Sequence, residues 1–468
     1  MICHGRTLIL LDGLDEISDV GQRADMVDLV EKFIDEYVRA PDFISAFDDR
    51  MFYGEIIETQ SPNQPGGNQI IVTSRIVGYQ FRPLNSSYVQ HYTLALMNHE
   101  EANKFVNNWL QSVSTSLEKI FLSQKTLKIS FDEAIFENCS ELLRSNSALL
   151  SLICLCIFQS MTEFHPKTRV EVYDRAVQTA LRIWNRQQPN ISEKLVKIFL
   201  IDLASYLHLK SSSGLIDAFD IHRLCCISLQ RQQIFNNREQ LQQYAKQILF
   251  LLDSNTAIAS EKGLQVFGFQ HLSFQEYFVA QSLVEGSDVI QIAKRILSFT
   301  VNSRFRESLL LAFGWISWKW SRDQYDRFCH FLVTQIEDYV IPFGIFLFID
   351  GIKDAFQLPS TSIIFLALNN LLNHPSDIIR STYFISNLSK LPDNLIIEWM
   401  ELYLKDDRSL LQFCRCFPLK NATYNDTSIT VRKQIPSVIY RQLCSFHQRN
   451  PSTEFLRDQI LRRVPIFD

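Results

Sequence analysis

Hydrophobic and polar positions change their rhythm along this chain. Thr7 to Leu11 is apolar after its first residue and shows no polar alternation, the pattern of a parallel strand buried on both faces. The run stops at Asp12-Gly13-Leu14-Asp15-Glu16, where carboxylates cluster. Ala24 to Val38 then sets Val27, Val30, Phe33, Ile34, Tyr37 and Val38 at helical spacing, with Pro41 beyond the helix. A loop from Ser61 to Asn68 precedes a β-branched run, Ile70-Ile71-Val72, which ends in Thr73-Ser74-Arg75. Strand, helix and strand with polar groups at both strand ends predict a βαβ unit, whose ligands sit at that edge.

Beyond residue 96 the pattern is helical. Glu101 to Leu110 puts Ala102, Phe105, Val106, Trp109 and Leu110 on one face, and Asn146 to Phe158 is apolar almost all round, hence buried. Another helix is expected over Arg169–Trp184. Three helical stretches near 193–208, 218–228 and 238–252 lead to Thr256–Ala259, a turn at Glu261-Lys262-Gly263 and a return strand, Leu264–Phe269. Three helices and a small hairpin read as a winged helix. Ser273 and Glu276, three residues apart, form a capping box in this reading. From about residue 286 helices follow one another, among them Arg304–Trp320, Asp323–Ile336, Ser360–Leu372, Asp377–Leu391 and Asn394–Lys405. No strict period survives, so the reading is a degenerate α-solenoid, with a compact helical domain as the alternative. Tyr339 to Ile352 contains Pro342 and Asp350 and reads as a buried helix, not a membrane span.

Composition narrows the function classes. In 468 residues there are 35 phenylalanines but only 14 glycines and 14 prolines, which favours packed helices over turn-rich sheets. A net charge of −5, with acids and bases interspersed, gives no electrostatic footprint for nucleic acid. The candidate groove-reading helix, near residues 239–252, carries only Lys246 as a base. The close pairs Cys154/Cys156 and Cys414/Cys416 lie in apolar helical contexts and read as small buried hydrophobes. No signal-peptide pattern opens the chain, and the expected location is cytoplasmic, without membrane insertion.

The carboxylates suggest the chemistry. Magnesium takes oxygen ligands and keeps several waters, so Asp12 at a strand end is placed to hold it through water. Asp15 and Glu16 lie where a carboxylate could orient or deprotonate an attacking water. Arg75, at the end of the neighbouring strand, could meet a γ-phosphate with its planar fork. The alternative, that acidic residues after a strand merely cap a helix start, loses ground once the Ile70-Ile71-Val72-Thr73-Ser74-Arg75 strand is set beside them.

Together these residues resemble the NACHT group of signal-transducing P-loop NTPases, relatives of the nucleotide-binding immune receptors. Leu8 to Ile17 resembles their Walker B strand with its acidic tail, and Ile70 to Tyr79 their sensor 1 segment. Tyr92-Thr93-Leu94-Ala95-Leu96, followed by Glu100-Glu101-Ala102, resembles the strand and helix leading out of the nucleotide domain. Val172-Tyr173-Asp174-Arg175-Ala176 keeps the family's look, although Asn146 is followed by Ser147 where the family has proline. The segment from Phe269 to Phe278 resembles the last helix of the family's winged helix, Phe-x-His-x-Ser-Phe-x-Glu-Tyr. The resemblance implies ATP/ADP and Mg²⁺ as cofactors, a β-phosphate contact for His271, and homo-oligomerisation on activation. Protein partners would bind through the helical C-terminal region.

The fold class expected is thus α/β, then mostly α. Residues 1–95 would be a partial NACHT nucleotide-binding domain holding the C-terminal half of a P-loop NTPase parallel sheet. Residues 96–190 would be a helical domain, 191–285 a winged helix and 286–468 an α-helical, solenoid-like region. One element of the family pattern is missing: no glycine in the chain is followed by lysine, so there is no G-x-x-x-x-G-K-[ST] phosphate loop, and only eleven residues precede Asp12. The preferred expectation is a nucleotide-dependent signalling switch, truncated before its Walker A motif, that does not hydrolyse ATP alone. The alternative is a non-catalytic helical scaffold derived from a NACHT ancestor. A third account takes Met1 as an internal start.

Overall fold

The run Leu8–Leu11 forms strand β1 and Gln69–Val72 forms β2 in the structure, a computed structural model. The structure describes residues 7–14, 20–35, 68–74, 83–84, 89–117, 135, 143, 146–160, 166–187, 190–211, 213–235, 237–253, 258–263, 265–335, 341–376, 379–384 and 391–403. The strands pair in parallel, Leu8 opposite Gln69 through Leu11 opposite Val72, as the strand–helix–strand pattern predicted. Helix α1 (Val20–Phe33) lays Val27 and Val30 into a core that also takes Ile34, Leu14 and Leu84, with Ile70, Val72 and Val89 packed against it. The expectation that β1 is buried on both faces is corrected. Leu8 and Leu10 are 56% and 65% exposed, and Ile71 is exposed too, because α1 is the only described helix in this core and covers one face.

Tyr92–Leu96, expected to be a strand, pairs with none among the described residues, and Tyr92, Leu94 and Leu96 are exposed. The chain then turns into α2 (His99–Leu117). Asn98 and Glu101 exchange hydrogen bonds at its start: the Asn98 N–H donates to Glu101 Oε2 and the Glu101 N–H to Asn98 Oδ1. This reciprocal cap satisfies two otherwise orphaned donors and starts the helix before Glu101. Its Ala102 and Val106 are buried, as the apolar stripe required.

Helix α3 (Ser147–Ser160), capped by Asn146 Oδ1, is largely buried against α4 (Arg169–Gln187) and touches α2 through Trp109 and Phe158. Three further helices are α5 (Glu193–Lys210), α6 (Ala218–Gln230) and α7 (Arg238–Asp253). Ser228 Oγ donates to Asp202 Oδ2 at 2.6 Å to tie α6 to α5, and the Ser192 N–H donates to the Tyr244 hydroxyl at 2.6 Å. A three-stranded sheet accompanies them, with β3 (Leu215–Asp217), β4 (Ala259–Gly263) and β5 (Val266–Phe269) in the order β3–β5–β4. The short β3 was not foreseen. The expected turn at Glu261-Lys262-Gly263 is corrected as well: those residues belong to β4, and the left-handed residue after it is Gln265, at φ 59°.

From here the chain is helical: α8 (Leu272–Leu283), α9 (Val289–Ser298), α10 (Arg306–Lys319), α11 (Arg322–Thr334), α12 (Phe343–Ile352), α13 (Thr361–Leu372) and α14 (Asp393–Tyr403). α8 packs on α10, α10 on α12, α9 on α11 and α11 on α13, so two rows of helices form, joined where α11 also packs on its direct neighbour α12. Pro342 stands immediately before α12, where its missing N–H costs nothing, and the helix is buried as expected. The helix expected over Asp377–Leu391 is instead a wide-turned segment over Ile379–Phe384 within the described residues. At the head of α4, Arg169 forks to Glu307 at 3.1 Å and to Asp354, binding α4 to α10 and to the loop after α12.

The chain divides into two compact units. One comprises Met1–Leu96, Tyr206–Ala218 and Lys262–Gly268; the other comprises Met97–Ser205, Phe219–Glu261 and Phe269–Asp468.

Candidate functional site

In the first unit the parallel register brings Asp12 and Thr73 side by side at the ends of β1 and β2. The Thr73 N–H donates to Leu11 O at 2.8 Å, and the Leu14 N–H donates back to Thr73 O at 2.9 Å. Between them Thr73 Oγ1 accepts from the Gly13 N–H at 3.0 Å and donates to Asp12 Oδ1. Gly13, at φ 74°, supplies the left-handed step that folds the chain back over Thr73. The Asp12 carboxylate is therefore anchored through one oxygen at an exposed strand end. Asp15, Glu16 and Arg75 lie outside the described residues. Thr73 is the residue that sequence reasoning missed here; the parallel pairing of the two strand ends was its signal.

The anchored Asp12 carboxylate, alone at this edge among the described residues, is a modest fit for magnesium. It suits a contact made through the ion's own waters, which Mg²⁺ keeps readily. Among the described residues no three His, Cys, Asp or Glu side chains converge as a metal cage.

In the second unit the stretches around Tyr173 and His271 meet. The Tyr173 ring lies 5.8 Å from Phe274 and 6.0 Å from Tyr277, and the Tyr277 hydroxyl donates to Asp174 Oδ1 at 2.7 Å. Asp174 is a buried carboxylate; Gln178 Nε2 donates to its Oδ2 at 2.6 Å, and Lys197 Nζ stands 3.8 Å from Oδ1. Burial, and after it the Asp174 charge, pushes the Tyr277 phenol well above its ordinary range, so it remains a donor. Burial lowers the Lys197 ammonium; Asp174 opposes the shift and Lys319 adds to it. Lys197 and Lys319 both stand over the Trp315 ring, at 5.5 and 5.3 Å, and that ring meets Tyr277 edge to face.

These contacts join two segments that carried the family resemblance, Val172–Ala176 and Phe269–Phe278. Compared with known proteins, the chain matches no family model and no curated relative.

His271 sits at the junction's edge. It is extended (φ −140°, ψ 141°) and is itself the N-cap of α8, its Nδ1 accepting the Ser273 N–H at 3.1 Å. This corrects the expected capping box. A box needs Ser273 outside the helix, but helical geometry begins at Leu272, so the Ser273 N–H is one of the orphaned donors. Glu276, the other member of the expected box, is buried. The imidazole is exposed, at the start of a helix whose dipole favours negative charge.

Of the cysteines described in this unit, Cys154, Cys156, Cys225 and Cys329 are buried and Cys226 is half-buried. Burial raises the Cys156 thiol to about 12, only partly offset by the charge of Arg175. No described helix is long and apolar enough to cross a membrane.

Proposed function

We propose that this chain is a NACHT-type, nucleotide-dependent signalling switch in which His271 reads the phosphates of ADP and α4 with α8 forms the moving joint. The observation that carries this reading is the junction itself. Two stretches about a hundred residues apart, each resembling the family on its own, meet through Tyr277 and Asp174 and through Tyr173 and Phe274. A switch needs differential contacts between its states, and an exposed donor fixed at a helix start is one such contact. The three helices and small sheet over residues 193–269 are compatible with a winged helix between them. By the resemblance, Asp12 would serve magnesium through water and Arg75 would meet a γ-phosphate. Without a G-x-x-x-x-G-K-[ST] loop the chain turns over no ATP at a useful rate.

Thermal unfolding of the full chain with added ADP tests the reading. Ligand at ten times its dissociation constant stabilises the folded form by about 1.4 kcal/mol. We expect an upward shift with millimolar ADP that His271→Ala abolishes. No shift in the unsubstituted chain would refute nucleotide sensing.

The second reading is a non-catalytic scaffold that works through its helical surface. The two rows built by α8 to α13 favour it, since stacked helices offer extended faces to protein partners. It expects no response to ADP and unchanged partner binding in His271→Ala.

A further inference from the structure

Lys197, on α5, carries a charge that its surroundings support poorly. Its side chain is 30% exposed, and Nζ stands 3.8 Å from Asp174 Oδ1, an ion pair too long for a hydrogen bond. Asp174 is engaged more closely elsewhere: the Tyr277 hydroxyl donates to Oδ1 at 2.7 Å and Gln178 Nε2 to Oδ2 at 2.6 Å. Glu193, one turn earlier on α5, accepts from Asn185 Nδ2 at 3.2 Å instead. Lys319, at the end of α10, brings a second ammonium over the same Trp315 ring, 5.3 Å from its centre where Lys197 stands at 5.5 Å. Like charges held beside one ring repel, and partial burial weakens the screening that water would give. Burial lowers the hold of Lys197 on its proton, Asp174 resists, and Lys319 adds to the fall. A lysine desolvated beside another cation is a setting that frees the amine lone pair.

We propose that Lys197 is a nucleophilic amine that captures small anionic aldehydes as imines, with Lys319 receiving the anionic group. The proposal does not draw on the nucleotide reading. The Nζ lone pair attacks the aldehyde carbon and forms the C–N bond, while the carbonyl electron pair moves to oxygen. A proton passes from nitrogen to that oxygen, and Asp174, the carboxylate beside Nζ, is placed to relay it. The C–O bond then breaks, and the amine's two protons leave with the aldehyde's oxygen as water. The imine nitrogen carries no obligatory charge, so its formation relieves the repulsion between Lys197 and Lys319. A small aldehyde fits better than a bulky one, because Lys197 is only partly exposed and lies over Trp315. An anionic one fits better than a neutral one, because the exposed Lys319 ammonium stands over the same ring.

Treating the full chain with glyoxylate and cyanoborohydride, which reduces each imine to a stable adduct, tests the proposal. Peptide mass spectrometry reads the rate at every lysine, with the exposed Lys210 and Lys294 as internal references. Near neutral pH, Lys197 should be labelled faster than either reference, and its rate should rise at lower pH than theirs. Relative to the same references it should prefer glyoxylate to acetaldehyde, a neutral aldehyde of similar size. Lys319→Gln changes an exposed side chain and should leave helical circular dichroism unchanged. It should move the Lys197 profile to higher pH and abolish the preference for glyoxylate, and Lys319→Arg, which restores the charge, should recover both. Labelling of Lys197 no faster than Lys210 and Lys294, no preference for glyoxylate, or a Lys197 profile unmoved by Lys319→Gln would each overturn the proposal.

Discussion

Tyr277→Phe isolates the bond on which the α4–α8 junction depends. Phenylalanine keeps the ring against Tyr173, Phe278 and Trp315 and removes only the hydroxyl that reaches Asp174 Oδ1 at 2.7 Å. Asp174 is 3% exposed, so water does not easily replace the lost donor, and Gln178 and Lys197 remain as its partners. A hydrogen bond to a charged group contributes about 1.5–3 kcal/mol, and we expect a loss of about 2 kcal/mol, close to thirtyfold in the local opening equilibrium. A chain with two compact units does not guarantee a single unfolding transition, so a global midpoint is the wrong measurement. Amide hydrogen exchange across α4 and α8 reads the local opening free energy directly. Asp174→Asn and the double variant complete a cycle, with a coupling above about 1 kcal/mol expected for groups in contact. Protection unchanged in Tyr277→Phe, or strictly additive effects in the cycle, would refute the claim that this bond joins the helices.

Two other perturbations probe the helical rows. A Cβ added at Gly351 would lie 2.5 Å from Phe313 Cγ, and Phe313 is fully buried among Tyr325, Phe328 and Phe348. Helix propensity favours alanine by about 1 kcal/mol, but overpacking costs about 1–3 kcal/mol, so Gly351→Ala should lower the urea midpoint of the helical signal; a raised midpoint would refute it. Asp326 supplies an acid-sensitive tie. Burial raises its carboxyl, but the Ser360 hydroxyl, then the Ser360 N–H at 3.0 Å, then Arg322 at 3.2 Å outweigh burial and leave it below the ordinary value. A depressed carboxyl stabilises fully above its unfolded value, about 3.9, and loses that contribution as pH falls through the lower folded value. Exchange protection at the start of α13 should therefore decline as the pH drops below about 4, and Asp326→Asn should flatten that decline.

Much of this architecture can be read from the residues, and what cannot has physical reasons. The stripe through Ala102 and Val106, the apolar block around Leu150 and Ile153, and the run after Pro342 all became helices with the expected faces buried, because burial follows 3.6-residue periodicity. The strand β3 has three residues, too few for any period to be visible, and exists only through its pairing with β5. Tyr92, Leu94 and Leu96 alternate like a strand, yet an alternating run is a strand only where a neighbour pairs with it. Ser273 and Glu276 fitted a capping pattern, but the pattern is blind to where helical dihedrals begin. His271 took the cap because a neutral imidazole nitrogen accepts as a carboxylate or hydroxyl does, a role its residue type rarely signals. Asp12 was legible as a strand-end carboxylate; its anchor on Thr73 required the register.

The segment before α2, unpaired among the described residues, has a practical consequence. Leu94 is 97% exposed, and Tyr92 and Leu96 flank it on backbone outside any sheet or helix. Proteases that cleave after aromatic and leucyl residues need such an extended, accessible substrate. A brief chymotrypsin digest should nick the chain here early, and the rate of that nick offers a label-free gauge of whether a partner strand has covered the segment.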